Sequence, residues 1–512
     1  MPKGKAPIMP SAAKLLRNTA INGLAAVVST AIAITLTSVL LSRLGSTEYG
    51  LWLIALTLTF DRGYFALLDL GYGTAALQRL SQTGSLTSAS LSATLFSTLQ
   101  RRYLYSAALG MFIISTGGYF LLNHVATPDL SRGVWNLVIV MVVRLPFDMS
   151  HATNLVFLES RQRYMWIRGV EVFSNLLWLA TIFFEPVGSL SISNLAIGSL
   201  FISVLQCFIS MQLRNALIEI KPRYSRNASP AIASEMWTVG KWIALQRLAS
   251  VTYAQMDRLI IAVVIGIAAV GEYEIPYKVQ AFGVLLLSVV PSAIIPVAAN
   301  LDLNIDRESI TALFHRGTRL SLIVCVPPLL AINLSADDLI RLWVGETFVH
   351  LAGSVRLFTA WVFLAIFHVV GANILVAVKK NRELFYISLL SILFNLPLSI
   401  LLANYWGMNG VITGTLIGYV VVWIPYFRLE QKYFGAGITA WFTEILQPII
   451  VPVVIQIVMV TALRGLLQAP RNVFVVFTYN SVSIGAAWIV FYYFFMDDKD
   501  KKSILSSLKK AG

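Results

Sequence analysis

Residues 43–73 read RLGSTEYGLWLIALTLTFDRGYFALLDLGYG. The stretch opens on a polar, glycine-bearing corner, Leu44-Gly45-Ser46-Thr47-Glu48-Tyr49-Gly50, and runs on as an apolar segment long enough to cross a bilayer. Asp61 and Arg62 sit side by side in its middle, and it closes on Leu68-Asp69-Leu70-Gly71. An ionisable side chain at bilayer depth is expensive in hydrocarbon and faces protein or a water-filled cavity. The stretch therefore predicts a membrane-spanning helix with a functional interior. A partly matching corner near residue 270 predicts a duplication.

Working outward, the 512 residues are 57% hydrophobic and 12% charged, with a mean hydropathy of +0.74. Soluble proteins carry about 25% charged residues. The composition predicts an all-α polytopic membrane protein, because a spanning segment must satisfy its own backbone hydrogen bonds. About 14 transmembrane helices are expected, over 20–42, 50–71, 103–122, 134–157, 167–185, 192–213, 238–264, 275–299, 318–335, 354–378, 384–403, 408–427, 445–464 and 474–496. The apolar run 21–41 is longer than a signal-peptide core and is read as a retained helix. Cys207 and Cys325 both lie inside apolar runs, which argues for packing rather than a disulfide.

The distribution of positive charge tests this topology independently. With a cytoplasmic N-terminus, only Arg43, Arg132, Arg341, Arg464 and Arg471 of the 39 Lys and Arg fall in outward loops. Arg62, Arg144, Arg247, Arg258, Lys278 and Arg356 fall inside helices, and all the others face inward. The net charge of +14 is thus an orientation and lipid-headgroup signal, not a nucleic-acid footprint. Both termini are expected in the cytoplasm. The longest outward loop, 336–353, is too short for a folded extracytoplasmic domain.

Internal matches recur at a spacing of about 220 residues. Leu44-Gly45 corresponds to Ile265-Gly266, Asn154-Leu155 to Asn373-Ile374, and Ile197-Gly198 to Ile417-Gly418. Each unit holds six helices, and an even number returns the chain to the same side. Two parallel repeats are therefore expected, related by an axis along the membrane normal. The expected divisions are an N-lobe over 1–213, a cytoplasmic linker over 214–237 containing Lys221-Pro222-Arg223, a C-lobe over 238–430, and two extra C-terminal helices with a basic tail over 431–512.

Leu44-Gly45…Glu48-Tyr49-Gly50-Leu51, Leu68-Asp69-Leu70-Gly71 and the second-half elements Gly371-Ala372-Asn373…Lys380-Asn381…Asn395…Gly407-Met408-Asn409-Gly410 resemble the polysaccharide-biosynthesis flippases. That family shares a superfamily with the multidrug/toxic-compound exporters and the lipid II flippase. The resemblance implies two six-helix lobes forming a V-shaped central cavity in the bacterial cytoplasmic membrane. It implies as cargo an oligosaccharide on a polyprenyl pyrophosphate, moved from the cytoplasmic to the outer leaflet for surface polysaccharide or O-antigen synthesis. It further implies contacts with membrane lipids and polysaccharide polymerase machinery. The extra helix pair resembles the lipid II flippase and keeps that alternative open.

The intramembrane basic residues outnumber the acids Asp61, Asp69, Asp148, Glu171 and Asp257, which favours an anionic cargo. Arginine suits a pyrophosphate because its planar fork binds phosphate bidentately and stays charged when desolvated. The candidate anion ligands are Arg62, Arg247, Arg258 and Arg144. Arg247 and Arg258 share one helix face three turns apart, and Arg144, Asp148 and His151 share another. Asp61, Asp148, Asp257 and Glu171 are the candidates for coupling to H+ or Na+. Competing structural readings are an intrahelical Arg144–Asp148 pair, an Asp257-Arg258 pair with a neighbouring helix, headgroup-seeking Lys278 and Arg356, and a capping or Arg79-pairing role for Asp69. No G-x-x-x-x-G-K-[ST] phosphate loop, metal-ligand cluster or cofactor motif occurs. A transporter without catalytic residues is therefore expected. A multidrug cation antiporter of the same fold is disfavoured by the charge balance, and an integral-membrane polymerase by the short outward loops.

Overall fold

The computed structural model describes residues 12–60, 63–83, 89–118, 120, 131–186, 188–218, 228–299, 301, 305–378, 380–435, 437, 439, 441–466 and 472–495. All regular structure among them is helical: α1 (Ala12–Thr57), α2 (Tyr72–Thr83), α3 (Ala89–Ile113), α4 (Ser131–Ser160), α5 (Tyr164–Phe184), α6 (Ile192–Leu217), α7 (Pro230–Val264), α8 (Ile267–Ala298), α9 (Arg307–Leu334), α10 (Ala336–Trp343), α11 (Ala352–Ala377), α12 (Asn381–Phe434), α13 (Gln447–Leu466) and α14 (Val473–Val490), with short 3-10 and π turns. Ten helices among the described residues are long and apolar enough to cross a membrane. Two of them are double: α1 breaks at Gly45 (φ 72°, ψ 170°) and α12 at Gly407 (φ 55°, ψ −135°). The all-α, multi-pass architecture is as expected. The second expected span, 50–71, is not one continuous helix: α1 stops at Thr57 and the chain resumes as a 3-10 turn, Tyr64–Asp69. The backbone packs tightly on itself at Gly63, where a Cβ would strike the Thr57 carbonyl and the Thr59 amide. The segment 336–353, expected as an outward loop, holds an unforeseen short helix, α10, and a 3-10 turn, Glu346–Leu351.

The chain divides into two compact units, Met1–Glu272 and Tyr273–Gly512. In the first, the corners near residues 46–50 and 267–271 pack backbone against backbone. A Cβ on Gly50 would collide with the carbonyl of Ile267, and one on Gly271 with the carbonyl of Ser46. A polar ladder joins α4 to α6: Asn136 donates to Ser193 (2.9 Å), Ser203 to Asp148, Asn154 to Ser210 (3.1 Å), and Arg214 to Asn154 (2.6 Å). Interhelical hydrogen bonds of this kind supplement van der Waals packing where lipid gives no hydrophobic drive between helices.

In the second unit, Pro327 and Pro328 interrupt α9. Proline lacks an N–H, so Pro327 leaves the Ile323 carbonyl without its helical donor. Trp488 of α14 supplies that donor at 2.9 Å, and Gln456 of α13 donates to the Pro327 carbonyl at 2.8 Å. Arg464 of α13 caps the Leu334 carbonyl at the end of α9 (2.7 Å) and pairs with the buried Asp338 of α10 (2.8 Å). Side chains of α13 and α14 therefore supply donors to carbonyls in the proline-bearing stretch of α9, where backbone groups away from water need partners.

Candidate functional site

The Leu68-Asp69-Leu70-Gly71 motif forms a tight turn between the 3-10 segment and α2. Leu70 (φ 49°) and Gly71 (φ 74°) are both left-handed. Gly71 must also be small, because its Cβ would land on the backbone of Gly240 in α7. Gly71→Ala is expected to cost at least about 1–2 kcal/mol from backbone handedness alone, with the collision added. Loss of monodisperse protein and a lowered melting temperature in detergent would show it; an unchanged melting temperature would refute the account.

This turn buries Asp69, which is 3% exposed. One carboxylate oxygen accepts the Gly73 backbone N–H (2.8 Å) and the Tyr103 hydroxyl (2.5 Å). The other accepts Nη1 of Arg247 on α7 at 2.8 Å. Asp69 thus caps the start of α2, fixes Tyr103 and anchors Arg247. Arg79, a possible partner from sequence spacing, pairs with Glu235 instead. The Arg247 side chain remains 41% exposed. Its other N–H groups take no hydrogen-bond partner among the described residues.

The remaining candidates are dispersed. Asp61 and Arg62 lie outside the described residues. Arg144 donates to Asp148 at 3.0 Å within α4, and Asp148 also accepts from Ser203, so both belong to the α4–α6 ladder. Glu171 pairs with Arg168 (2.6 Å), which also donates to Asn22 of α1 (2.9 Å). Arg258 is 9% exposed and donates to Gln255 at 2.6 Å; Asp257 beside it is 7% exposed. Lys278 pairs with Glu274 at 2.7 Å, and Arg356 with Asp337.

Four buried polar groups escaped the sequence reading. Tyr103 carried no pattern that could reveal it. Glu274 stands four residues before Lys278, a spacing that was legible but unused. Asp338 looked like part of an outward loop. Glu430 looked like part of a cytoplasmic helix end, yet it is 1% exposed and contacts His368. Among the described residues no group of three or more His, Cys, Asp or Glu is placed to hold a metal ion.

Comparison with known proteins bears on this architecture. The polysaccharide biosynthesis protein family matches residues 40–353. A probable low-salt glycan biosynthesis flippase of Haloferax volcanii is 21% identical over 189 residues, which is 37% of this chain and 40% of that relative. The alignment therefore spans less than half the length of that curated relative. Among solved structures, the lipid II flippase MurJ in an inward closed conformation superposes with a TM-score of 0.73 at 14% identity, covering 94% of this chain and 99% of that one. An inward-facing multidrug resistance MATE family transporter superposes at 0.62 and 12% identity, over 82% and 98%. These two likenesses show the fold. The match over residues 40–353, on a fold of this kind, places the chain in the polysaccharide biosynthesis protein family.

Proposed function

We propose that the chain is a flippase that carries a polyprenyl-pyrophosphate-linked oligosaccharide from the cytoplasmic to the outer leaflet by alternating access. Family membership and the named function of the Haloferax relative support the reading. The observation that carries it is Arg247, a part-exposed guanidinium anchored on a buried carboxylate, with no second hydrogen-bond partner among the described residues. Anchoring fixes the orientation of the fork, so little further ordering is needed when a phosphate approaches. Arg258 lies three turns along the same face of α7.

Arg247→Ala is expected to reduce surface polysaccharide more than about tenfold, at unchanged protein level, with lipid-linked precursor accumulating. That corresponds to the loss of one charge-assisted phosphate contact of about 1.5–3 kcal/mol. Arg247→Lys restores only part of the activity, because lysine lacks the bidentate fork. Full export in both variants refutes the reading.

A second reading, a lipid II-type flippase, is favoured by the near-complete structural coverage of the lipid II flippase. Native mass spectrometry of the purified protein, offered lipid II and a polyprenyl-pyrophosphate oligosaccharide in competition, separates the two.

A further inference from the structure

Among the described residues of the second unit, one buried titratable pair stands apart from the candidate anion ligands and ion-coupling residues. His368 of α11 and Glu430 of α12 are each 1% exposed, with the imidazole Nδ1 3.0 Å from a carboxylate oxygen of Glu430. The second nitrogen of His368 and the second oxygen of Glu430 are buried without a hydrogen-bond partner among the described residues. The surroundings are aromatic. Tyr426 stacks on the imidazole (5.0 Å, 15°), and Trp423 meets it edge-on at 4.8 Å. From α9, Phe314 closes on Gly371, whose added Cβ would lie 2.7 Å from the Glu430 carboxylate and 3.1 Å from the Phe314 ring.

The titratable neighbours on each packed element are few. On α12 they are Tyr426, with Tyr419 6.5 Å from it; Lys432 turns to the Tyr433 ring. On α9, His315 stands edge-on to Phe314. On α11, His368 itself is flanked by Phe367 and Gly371.

We propose that His368 and Glu430 form a proton-binding site, closed in this state, through which proton occupancy is linked to the separation of α11 and α12. With Nδ1–H donating to the carboxylate, a neutral imidazole leaves the pair with a net charge of −1. A proton from bulk water, added at the unpartnered Nε2, brings the pair to neutrality. A buried unpaired charge costs far more than a neutral hydrogen-bonded pair. Hard cations take about six or more oxygen ligands. This chamber offers one carboxylate among rings, which suits a bare proton. At 1% exposure neither group exchanges with solvent unless the helices that carry them part. Occupancy and opening therefore bias one another reciprocally. The site itself stands on this geometry; its use to drive flipping rests on the transporter reading.

The test uses Trp423 as a reporter, since an imidazolium quenches an adjacent indole. The full-length protein in nanodiscs is titrated from about pH 4 to 9, a range that brackets ordinary histidine, and the Trp423→Phe signal is subtracted. A reversible fluorescence step is expected in the parent protein. It is lost in His368→Gln and displaced along the pH axis in Glu430→Gln, with both variants eluting as the parent does on size exclusion. In proteoliposomes, stimulation of flipping by a pH gradient is lost in His368→Gln, while binding of lipid-linked cargo is retained. An identical fluorescence titration in parent and His368→Gln overturns the site. A lost titration with undiminished pH-driven flipping overturns the coupling. If the parent moves no lipid-linked cargo, the flippase reading fails, and the fluorescence titration still decides the proton site.

Discussion

Asp69→Ala is expected to destabilise the first unit by about 2–6 kcal/mol, from two buried donors left unsatisfied at about 1–3 kcal/mol each. The donors are the Tyr103 hydroxyl and the Gly73 backbone N–H. The Arg247 ion pair adds little to this sum, because its guanidinium is 41% exposed and water takes over part of its solvation. Asp69→Asn separates the two roles. Its amide oxygen still accepts from Tyr103 and Gly73, so stability falls by no more than about 1 kcal/mol, the worth of a partly exposed pair. Its amide nitrogen faces the guanidinium and releases Arg247 from its anchored orientation. Thermal unfolding in detergent should therefore show a large shift for Asp69→Ala and a small one for Asp69→Asn, with export impaired in both. Equal melting temperatures for the two variants would show that the carboxylate is not the cap described here.

The second large effect is expected at Asp338, which is 1% exposed and accepts from Arg341 (3.3 Å), Arg464 (2.8 Å) and the Tyr479 hydroxyl (3.0 Å). Asp338→Ala leaves two arginines and a buried hydroxyl without their common acceptor, a loss of about 3–5 kcal/mol for breaking a buried ion pair. The arginines keep partial access to water, at 30% and 26% exposure, which places the effect toward the lower end. Tyr479 sits in a small apolar cluster with Val460 and Val476, against Leu334, Leu339 and Leu342. Loosening α13 and α14 should therefore expose the Ile323 and Pro327 carbonyls of α9. Hydrogen exchange is expected to accelerate in α13, α14 and the proline-broken part of α9, with α4–α6 unaffected. Unchanged exchange in α13 and α14 would mean that they are held independently of Asp338. Tyr479→Phe removes one neutral contact and should cost about 1 kcal/mol.

Much of the architecture was legible because bilayer physics writes itself into composition. Long apolar runs and the low share of charged residues report on a helical membrane protein, and Gly45 and Gly266 mark matching corners in the sequence. Both of those glycines do take left-handed backbone conformations, at φ 72° and 128°. Local spacing also foretold the Arg144–Asp148 contact, since residues four apart meet on any helix. The break after Thr57 was not legible, because hydropathy sums over a window and does not register where backbone atoms crowd around Gly63.

Sequence by itself determined the helical membrane class and raised the expectations of an internal repeat and an anionic cargo. Each follows from charge, hydropathy or spacing along the chain. Tertiary structure decided which charges are spent on holding helices together and which keep donors exposed. Asp69 meets Arg247 and Tyr103, Asp338 meets Arg464 and Tyr479, and His368 meets Glu430 across gaps of 34 to 178 residues for the hydrogen-bonded pairs. Pairings over such distances depend on how helices cross and on how deeply each side chain is buried. Neither quantity exists until the helices are packed.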